Sequence, residues 1–265
     1  MKTKPIILKL GGSVITHKEK PLTINNGAIR RLAYEISQAN VSPLVIVHGG
    51  GSFGHPIAKA YRINEGFKDS SQMMGFSKTH QAMTKLNAMV LDALISHNIP
   101  AVAVQPSSFI ITKSDRIKTI DNKVVKKLIE TGFVPVLYGD AVLDSDKGFA
   151  ILSGDQLVSS LATQLAAECI IVGVDVDGLY TSDPKKDKTA KLIQHITLQE
   201  LKKIQHEVKE ATATVTDVTG GMLGKISELI PAVEAGISVL IVNALKPDNV
   251  YKTLKGQEVV GTLIE

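Results

Sequence analysis

The feature that most constrains the fold of this chain is a run of three glycines, Gly49-Gly50-Gly51, directly behind an apolar segment. The segment from Pro43 to Val47 is short and apolar, which is typical of a buried strand. Glycines let the backbone leave a strand in conformations that a Cβ atom would forbid. Closely packed backbone N–H groups in such a turn form a cradle for an anion, most often a phosphate. Because His55 follows, the stretch predicts an anion site; the alternative is an ordinary tight turn with a core histidine behind it.

Other apolar segments end in a similar way. The predicted strands Ile6–Leu10 and Cys169–Val174 run into Gly11-Gly12-Ser13 and Asp175-Val176-Asp177-Gly178, respectively. Strands that alternate with helices form a mainly parallel sheet that is covered on both faces. The carboxyl ends of these strands meet at one edge, where open α/β sheets bind ligands. We therefore predict an α/β fold with its ligand site at that edge.

Further elements are predicted from apolar periodicity and from turn residues. They are helices over 28–37, 72–96, 122–131, 156–167, 198–205 and from 225 to about 235, hairpins over 109–120 and 141–151, and strands over 101–104, 133–138, 238–243 and 261–264.

Three charged residues stand at positions that suggest chemistry. Lys9 lies inside the first predicted strand, and a buried lysine is too costly unless an anion or a carboxylate meets it. It is therefore predicted to be a phosphate ligand, with a lysine on an exposed edge strand as the alternative. Lys18, taken alone, is typical of a solvated loop charge. Asp155 opens a predicted helix, where it either contributes to an N-cap or holds the lysines that grip phosphates.

Apolar side chains recur along the long predicted helix over 72–96. Met73, Phe76 and Met83 fall on one face at helical spacing. Core packing explains this pattern, and so does an apolar wall for a substrate, because methionine and phenylalanine form adaptable pockets.

Composition excludes several classes of partner. The net charge of +4 comes from lysines scattered over 265 residues, which is not the footprint of a nucleic-acid-binding protein. The single cysteine, Cys169, excludes disulfides and cysteine-based metal sites within one chain, and we expect it to be buried in a strand. No apolar run approaches the roughly 18 residues of a membrane helix, and no signal peptide precedes the first strand. We expect a soluble, cytoplasmic protein with no membrane partner.

The order of the motifs resembles that of the amino-acid kinase family, from Lys9 to the end of the chain. The last motif resembles a phosphate-binding loop but departs from the P-loop pattern, because Ile226 follows its lysine. The motifs that carry the resemblance are Lys9-Leu10-Gly11-Gly12-Ser13, His48-Gly49-Gly50-Gly51, Ser153-Gly154-Asp155, Asp175-Val176-Asp177-Gly178 and Gly220-Gly221-Met222-Leu223-Gly224-Lys225.

The resemblance implies an open three-layer αβα sandwich with a mainly parallel central sheet. Residues 1–150 would form the lobe that binds the phosphoryl acceptor, and residues 151–265 the lobe that binds ATP, within one continuous sheet. It also implies ATP and Mg²⁺ as cofactors and a homodimeric assembly, since members of the family are often homodimers.

The family's acceptors include carboxylates, carbamate and phosphates, so a finer feature must identify the acceptor. The segment Gly51-Ser52-Phe53-Gly54-His55-Pro56 resembles the branch that phosphorylates isopentenyl phosphate in isoprenoid biosynthesis, where the histidine grips the acceptor phosphate. A branch that phosphorylates fosfomycin also carries a histidine here and is the enzymatic alternative. A non-catalytic nucleotide-binding sensor is a third possibility, but it should have lost Lys18 or Lys225, and this chain keeps both.

The charges of such a reaction suggest roles for the charged residues. The second pKa of a phosphate monoester is about 6, so the acceptor is already a nucleophile at neutral pH and needs no general base. Catalysis then consists of positioning and of neutralisation by cations and Mg²⁺. Lys9, Lys18 and Lys225 would supply positive charge, with Lys18 at the transferring phosphoryl group. His55 would clamp the acceptor, and Asp155 would orient lysine.

The resemblance assigns the remaining site residues by position. Those expected at the acceptor are Gly49, Gly54 and Gly154. Those expected at the nucleotide are Lys9, Gly11, Gly12, Ser13, Gly50, Asp175, Tyr180, Gly221 and Lys225.

Overall fold

The computed structural model describes residues 4–210 and 222–265. Strands and helices alternate along most of the chain. The strands are β1 Ile6–Leu10, β2 Leu44–His48, β3 Ala101–Ala103, β4 Ile110–Lys113, β5 Arg116–Ile120, β6 Val134–Tyr138, β7 Asp140–Asp144, β8 Gly148–Leu152, β9 Cys169–Val174, β10 Leu179–Tyr180, β11 Leu192–Ile193, β12 His195–Ile196, β13 Ser238–Asn243 and β14 Gly261–Ile264. The helices are α1 Gly12–Ile15, α2 Asn26–Ala39, α3 Gly51–Ala60, α4 Ser71–Ser96, α5 Lys123–Glu130, α6 Gly154–Leu165, α7 Leu198–Glu210, α8 Met222–Ser227, α9 Ile230–Glu234 and α10 Asn249–Leu254.

The central sheet has eight strands in the order β12-β14-β13-β9-β1-β2-β6-β3. The pairs β13–β9, β9–β1, β1–β2, β2–β6 and β6–β3 are all parallel, whereas β14 runs antiparallel to β13. Strands from before residue 150 form one half of the sheet and later strands form the other, joined where β1 pairs with β9. The predicted mainly parallel sheet is confirmed.

The two faces of the sheet are covered by separate helical layers. Successive side chains of a strand point to opposite faces, and β1 shows this directly. Ile7 belongs to the apolar cluster shared with α6 and α9, whereas Leu8 belongs to the cluster shared with α2 and α4. This arrangement is the predicted three-layer αβα sandwich. None of the helices within the described ranges is long and apolar enough to span a membrane.

The two predicted hairpins form a smaller sheet at the carboxyl edge of the large one. Its strand order is β5-β4-β7-β8, and β7 starts two residues after β6 ends. The small sheet therefore stands beside the glycine-rich ends of β1 and β2 and contributes one wall of the site described below.

Two local expectations were wrong, and helices were also missed. The helix expected from 225 to about 235 is two helices, α8 and α9, because Pro231 cannot continue a helix and stands in the first turn of α9 instead. Cys169 is half-buried rather than buried, since it is the first residue of its strand. Helix α10 was not predicted, because its N-terminal N–H groups are capped by a distant carboxylate: Glu35 accepts from Val250 at 3.0 Å and Tyr251 at 3.2 Å.

Candidate active site

Two glycine turns meet backbone to backbone at the carboxyl edge of the sheet. Leu10 and His48 are the last residues of β1 and β2 and are partners in register, which brings the turns that follow them together. A Cβ atom on Gly12 would lie 2.3 Å from the nitrogen of Gly51, and one on Gly49 would lie 2.8 Å from the nitrogen of Gly12. No side chain fits at these contacts, so the two turns need glycine.

The second turn leads directly into helix α3. Gly51 begins the helix with φ +47°, and a Cβ atom there would lie 2.1 Å from Thr16 Oγ1. That hydroxyl accepts from the N–H of Ser52 at 3.0 Å and donates to the carbonyl of Gly12 at 2.7 Å, which links both turns. Helix α3 then places His55 on its second turn, at the cleft.

The turns border a cleft with a volume of about 600 Å³. Thirteen of its lining residues were predicted from the sequence to belong to a site: Lys9, Gly11, Gly12, Ser13, Lys18, Gly49, Gly50, Gly54, His55, Met83, Gly154, Asp155 and Lys225. The lining residues to which the sequence assigned no individual role are Gly51, Ser52, Pro56, Ala58, Thr79, Gly139, Asp140, Ile151, Leu152, Ser153, Gly224 and Glu228.

Lys9 lies at the base of the cleft and is paired with a carboxylate. Its ammonium group is 2.8 Å from Asp155 Oδ1, and the two side chains are only 4% and 13% exposed. Asp155 stands in the first turn of α6, whose N-cap Ser153 accepts from the N–H of Gln156 at 3.1 Å. The buried strand lysine therefore meets a carboxylate, and the cap is supplied by Ser153 rather than by Asp155.

A second aspartate, Asp175, lies just beyond the end of β9 and gathers three donors. It accepts from Ser13 Oγ at 2.9 Å, from Lys18 at 3.3 Å and from Lys185 at 2.6 Å. Burial alone would raise the pKa of Asp175, but the hydrogen bonds from Lys185 and Ser13 and the charge of Lys18 hold it well below its usual range. Asp175 is therefore an anion that holds Lys18, which lines the cleft, and Lys185, which lies outside its lining.

His55 and Lys225 share one electrostatic environment with the buried pair. The pKa of His55 is lowered, first by partial desolvation of the ring beside the cleft and then by the Lys225 cation, while Asp155 opposes the shift. The pKa of Lys225 is also lowered, by loss of solvent in the cleft and then by Lys9, again opposed by Asp155. Mutual repulsion between cations is relieved by an anion. The site is thus suited to bind a multiply charged anion.

The remaining predicted residues lie at other positions. Tyr180 is half-buried and directs its hydroxyl to Asp177 at 3.5 Å, and neither Tyr180 nor Asp175 lines the cleft itself. Gly221 lies outside the described residues.

The three apolar residues predicted on α4 do not form one wall. Met83 is buried at the cleft, where its sulfur would lie 2.9 Å from a Cβ atom on Gly54. Phe76 packs behind the cleft on Phe149, with 5.5 Å between ring centroids. Met73 is 59% exposed and does not line the cleft, because it is in the first turn of α4, well before the part that packs on the glycine turns.

Two polar pairs at the cleft had no signal in the sequence. His80 Nδ1 on α4 lies 3.0 Å from both carboxylate oxygens of the buried Asp140, whose pKa is raised by burial and lowered in part by His80. Arg116 Nη1 donates to Glu228 Oε1 at 2.7 Å. The partners are 60 and 112 residues apart in the chain, so only the fold reveals them.

Comparison with known proteins gives one consistent result. A model of the amino acid kinase family matches residues 4–243. The chain is 45% identical to the isopentenyl phosphate kinase of Methanothermobacter thermautotrophicus over 268 residues, covering 98% of each protein.

Solved structures agree with the sequence comparison. An X-ray structure of isopentenyl phosphate kinase superposes with a TM-score of 0.87 at 42% identity, covering 98% of this chain and 100% of the other. A crystal structure of an isopentenyl phosphate kinase substrate complex gives a TM-score of 0.81 at 29% identity, again over 98% of this chain and 100% of the other.

Proposed function

This chain belongs to the amino acid kinase family, and from that premise we infer that it phosphorylates isopentenyl phosphate with ATP, giving isopentenyl diphosphate and ADP. Full-length relatives at up to 45% identity carry this activity in their names. The structural observation that supports it best is the composition of the cleft. A polar part with the cations Lys9 and Lys225 and the hydrogen-bond donor His55 adjoins an apolar part with Ala58, Met83 and Ile151, which suits an acceptor with a phosphate head and a short hydrocarbon tail.

The acceptor is assigned to the first two turns of α3 and to the start of α6. The His55 ring presents at least one N–H donor in either protonation state. We assign this donor to an oxygen of the acceptor phosphate. Gly49, Gly54 and Gly154 line the same part of the cleft, and without side chains they leave room for the phosphate to approach the backbone.

The nucleotide is assigned to the side of the cleft formed by the ends of β1 and β9. Gly11, Gly12, Ser13 and Gly50 offer the backbone cradle, and Lys9 and Lys225 offer charge. Asp175 and Tyr180 stand at the rim of this side. Gly221, which belongs to the same motif as Lys225, is also assigned to the nucleotide on the family resemblance.

Lys18 is assigned to the transferring phosphoryl group. It lines the cleft and is 56% exposed, so its flexible side chain is free to leave Asp175 for a phosphate. The acceptor's second pKa is about 6, so the acceptor is a dianion at neutral pH and attacks without a base. The work left to the protein is to align two anions and to neutralise the charge that develops between them.

Mg²⁺ is proposed to be held by the phosphates of ATP. The described residues contain no group of three or more His, Cys, Asp or Glu side chains that could hold a metal ion. At the cleft, Asp155 and Asp175 are each engaged by lysine. Homodimerisation and a cytoplasmic location stay predictions; sedimentation equilibrium on the purified protein tests the first.

A phosphoryl-transfer assay tests the proposed function. ATP is supplied with isopentenyl phosphate, dimethylallyl phosphate, fosfomycin, uridylate or acetylglutamate, and ADP release is measured for each. We expect the highest kcat/KM with isopentenyl phosphate. Turnover of uridylate or acetylglutamate without turnover of isopentenyl phosphate would overturn the assignment, and a preference for fosfomycin would favour a phosphonate kinase.

A further inference from the structure

A carboxylate in the wall of the cleft has no evident role in phosphoryl transfer. Glu228 lines the cleft three residues after Lys225 and is 24% exposed. ATP and isopentenyl phosphate bring several negative charges into this cleft under the proposed function. A like charge in the wall weakens their binding, because Coulomb repulsion is poorly screened where water is excluded. A counter-charge for Glu228 is therefore expected.

Arg116, the first residue of β5 in the small sheet, supplies that counter-charge. Its Nη1 atom donates to Glu228 Oε1 at 2.7 Å. The hydrogen bond with Glu228 raises the pKa of Arg116, although partial burial opposes the shift. The second oxygen, Glu228 Oε2, is buried and has no hydrogen-bond partner in the described part of the chain. Loss of Arg116 would thus leave this carboxylate charged and poorly compensated.

The position of Arg116 is fixed by its neighbours on the small sheet. Gln156, beside Asp155 at the start of α6, accepts from the N–H of Ile117 at 2.9 Å and donates to the carbonyl of Asp115 at 3.0 Å. These bonds flank Arg116 on both sides. The backbone at Arg116 is therefore held by the same helix turn that holds Lys9, and its side chain, which is 58% exposed, reaches Glu228 from there.

We propose that Arg116 is a positioning residue that acts through Glu228. It neutralises the carboxylate and keeps this wall of the cleft from repelling the phosphates. The inference deepens the proposed function and rests on it. Arg116 does not contact substrate in this proposal; its effect depends on the charge of Glu228. If Arg116 acts by neutralising charge, its effect disappears when Glu228 is uncharged. If it only links the small sheet to the end of α8, its effect does not depend on that charge.

The test is a double-mutant cycle with Arg116→Ala, Glu228→Gln and the two combined. We expect Arg116→Ala to raise both the Kd and the KM for ATP by about tenfold, the effect of one uncompensated charge at several ångströms and partial screening. Glu228→Gln alone should bind ATP at least as tightly as wild type. The double variant should recover most of the affinity that Arg116→Ala loses, because no unpaired carboxylate remains.

Two further variants separate charge from structure. Arg116→Lys keeps the charge and should stay within about threefold of wild type, since an exposed ammonium replaces one arm of the guanidinium. Lys118→Ala removes a positive charge from an exposed position on the same strand and serves as the matched control, with ATP affinity expected to be unchanged.

The outcomes are decisive in both directions. A double variant no better than Arg116→Ala, or an Arg116→Ala protein that binds ATP like wild type, overturns the proposal. ATP affinity by calorimetry needs no acceptor. A wild-type enzyme that binds ATP but does not phosphorylate isopentenyl phosphate would therefore refute the proposed function. The ATP affinities of the double-mutant cycle would still test the role of Arg116 in that case.

Discussion

Two lysine–aspartate pairs flank the candidate transfer site, and they differ in the burial of the lysine. The Lys9–Asp155 pair has 2.8 Å between its charged atoms and side-chain exposures of 4% and 13%. In the Lys18–Asp175 pair the separation is 3.3 Å, the aspartate is 15% exposed and the lysine is 56% exposed. A buried charge that loses its partner stays dehydrated and uncompensated, whereas an exposed one is taken up by water. The first pair therefore belongs to the folded core, and the second is a mobile charge available to a substrate.

The surroundings of the two pairs differ in the same way, with close packing around Lys9 and open surface around Lys18. Lys9 points into a site built from closely packed glycine backbone, where a Cβ atom on Gly11 would lie 2.8 Å from the carbonyl of Gly173. Asp175 instead shares its carboxylate between Lys18 and the exposed Lys185. A carboxylate with two exposed lysines can release one to a phosphate and keep the other. The buried Lys9–Asp155 pair is suited to positioning a substrate. The exposed Lys18 is suited to moving with the phosphoryl group as its charge develops during transfer.

The largest expected effect is on stability. Asp155→Asn leaves Lys9 buried without a counter-ion, which should lower the free energy of unfolding by about 3–5 kcal/mol. Asp175→Asn leaves two exposed lysines that water can solvate, so we expect it to lower the free energy of unfolding by less than Asp155→Asn does. Urea unfolding followed by circular dichroism measures both. Equal losses in the two variants would contradict the division into a core pair and a mobile pair.

The same division explains what could be predicted from the sequence. Lys9 stood in an apolar strand followed by glycines, so both its burial and its need for a partner were predictable. Helix α3 was not, because Gly51, Gly54 and Pro56 are poor residues for a helix; burial of Phe53 and the hydrogen bond from the N–H of Ser52 to Thr16 Oγ1 hold it in place. The pairs His80–Asp140 and Arg116–Glu228 depend on tertiary contacts across 60 and 112 residues, which no local pattern reports.

The second prediction concerns catalysis by the mobile lysine. Lys18→Ala should reduce kcat by about 10²–10³-fold, the loss of roughly 2.7–4 kcal/mol for one electrostatic group at a developing charge. The free energy of unfolding should stay near wild type, since the side chain is exposed. Single-turnover kinetics at saturating ATP measure the chemical step.

Lys185→Ala is the matched control for Lys18, because Lys185 is 57% exposed and pairs with the same oxygen of Asp175. It should spare kcat. If both variants lose kcat equally, the effect arises from the total positive charge around Asp175 and not from Lys18 itself. That result would contradict the assignment of Lys18 as the mobile charge at the transferring phosphoryl group.

The third prediction separates the acceptor from the nucleotide. His55→Ala removes a donor to the acceptor phosphate, and a hydrogen bond to a charged group is worth about 1.5–3 kcal/mol. We expect kcat/KM for isopentenyl phosphate to fall at least about tenfold, with ATP affinity near wild type. His55→Gln keeps a neutral donor and should recover part of the loss. A collapse of ATP binding, with normal acceptor kinetics, would place His55 on the nucleotide side.

The smallest expected effect lies where neither pair reaches, at the apolar end of the cleft. Phe76 packs with Ala58, Phe149 and Ile151, and of these Ala58 and Ile151 line the cleft directly. Phe76→Ala removes volume behind that wall. We expect kcat/KM for a ten-carbon isoprenyl monophosphate to rise relative to isopentenyl phosphate by a few-fold, up to about tenfold, because adding or removing methylene groups in an apolar pocket changes discrimination by about 1–3 kcal/mol.

Phe67 provides the matched control for this substitution. It also contacts the ring of Phe149, at 5.8 Å between centroids, but it is 50% exposed and lies outside the cleft lining. Phe67→Ala should leave the preference for chain length unchanged. If Phe76→Ala only lowers the melting temperature and the preference stays the same, Phe76 serves packing alone. ATP affinity should be unaffected in both variants, because no charged group is altered. Such a result would indicate that the two lysine–aspartate pairs act only at the phosphate end of the site.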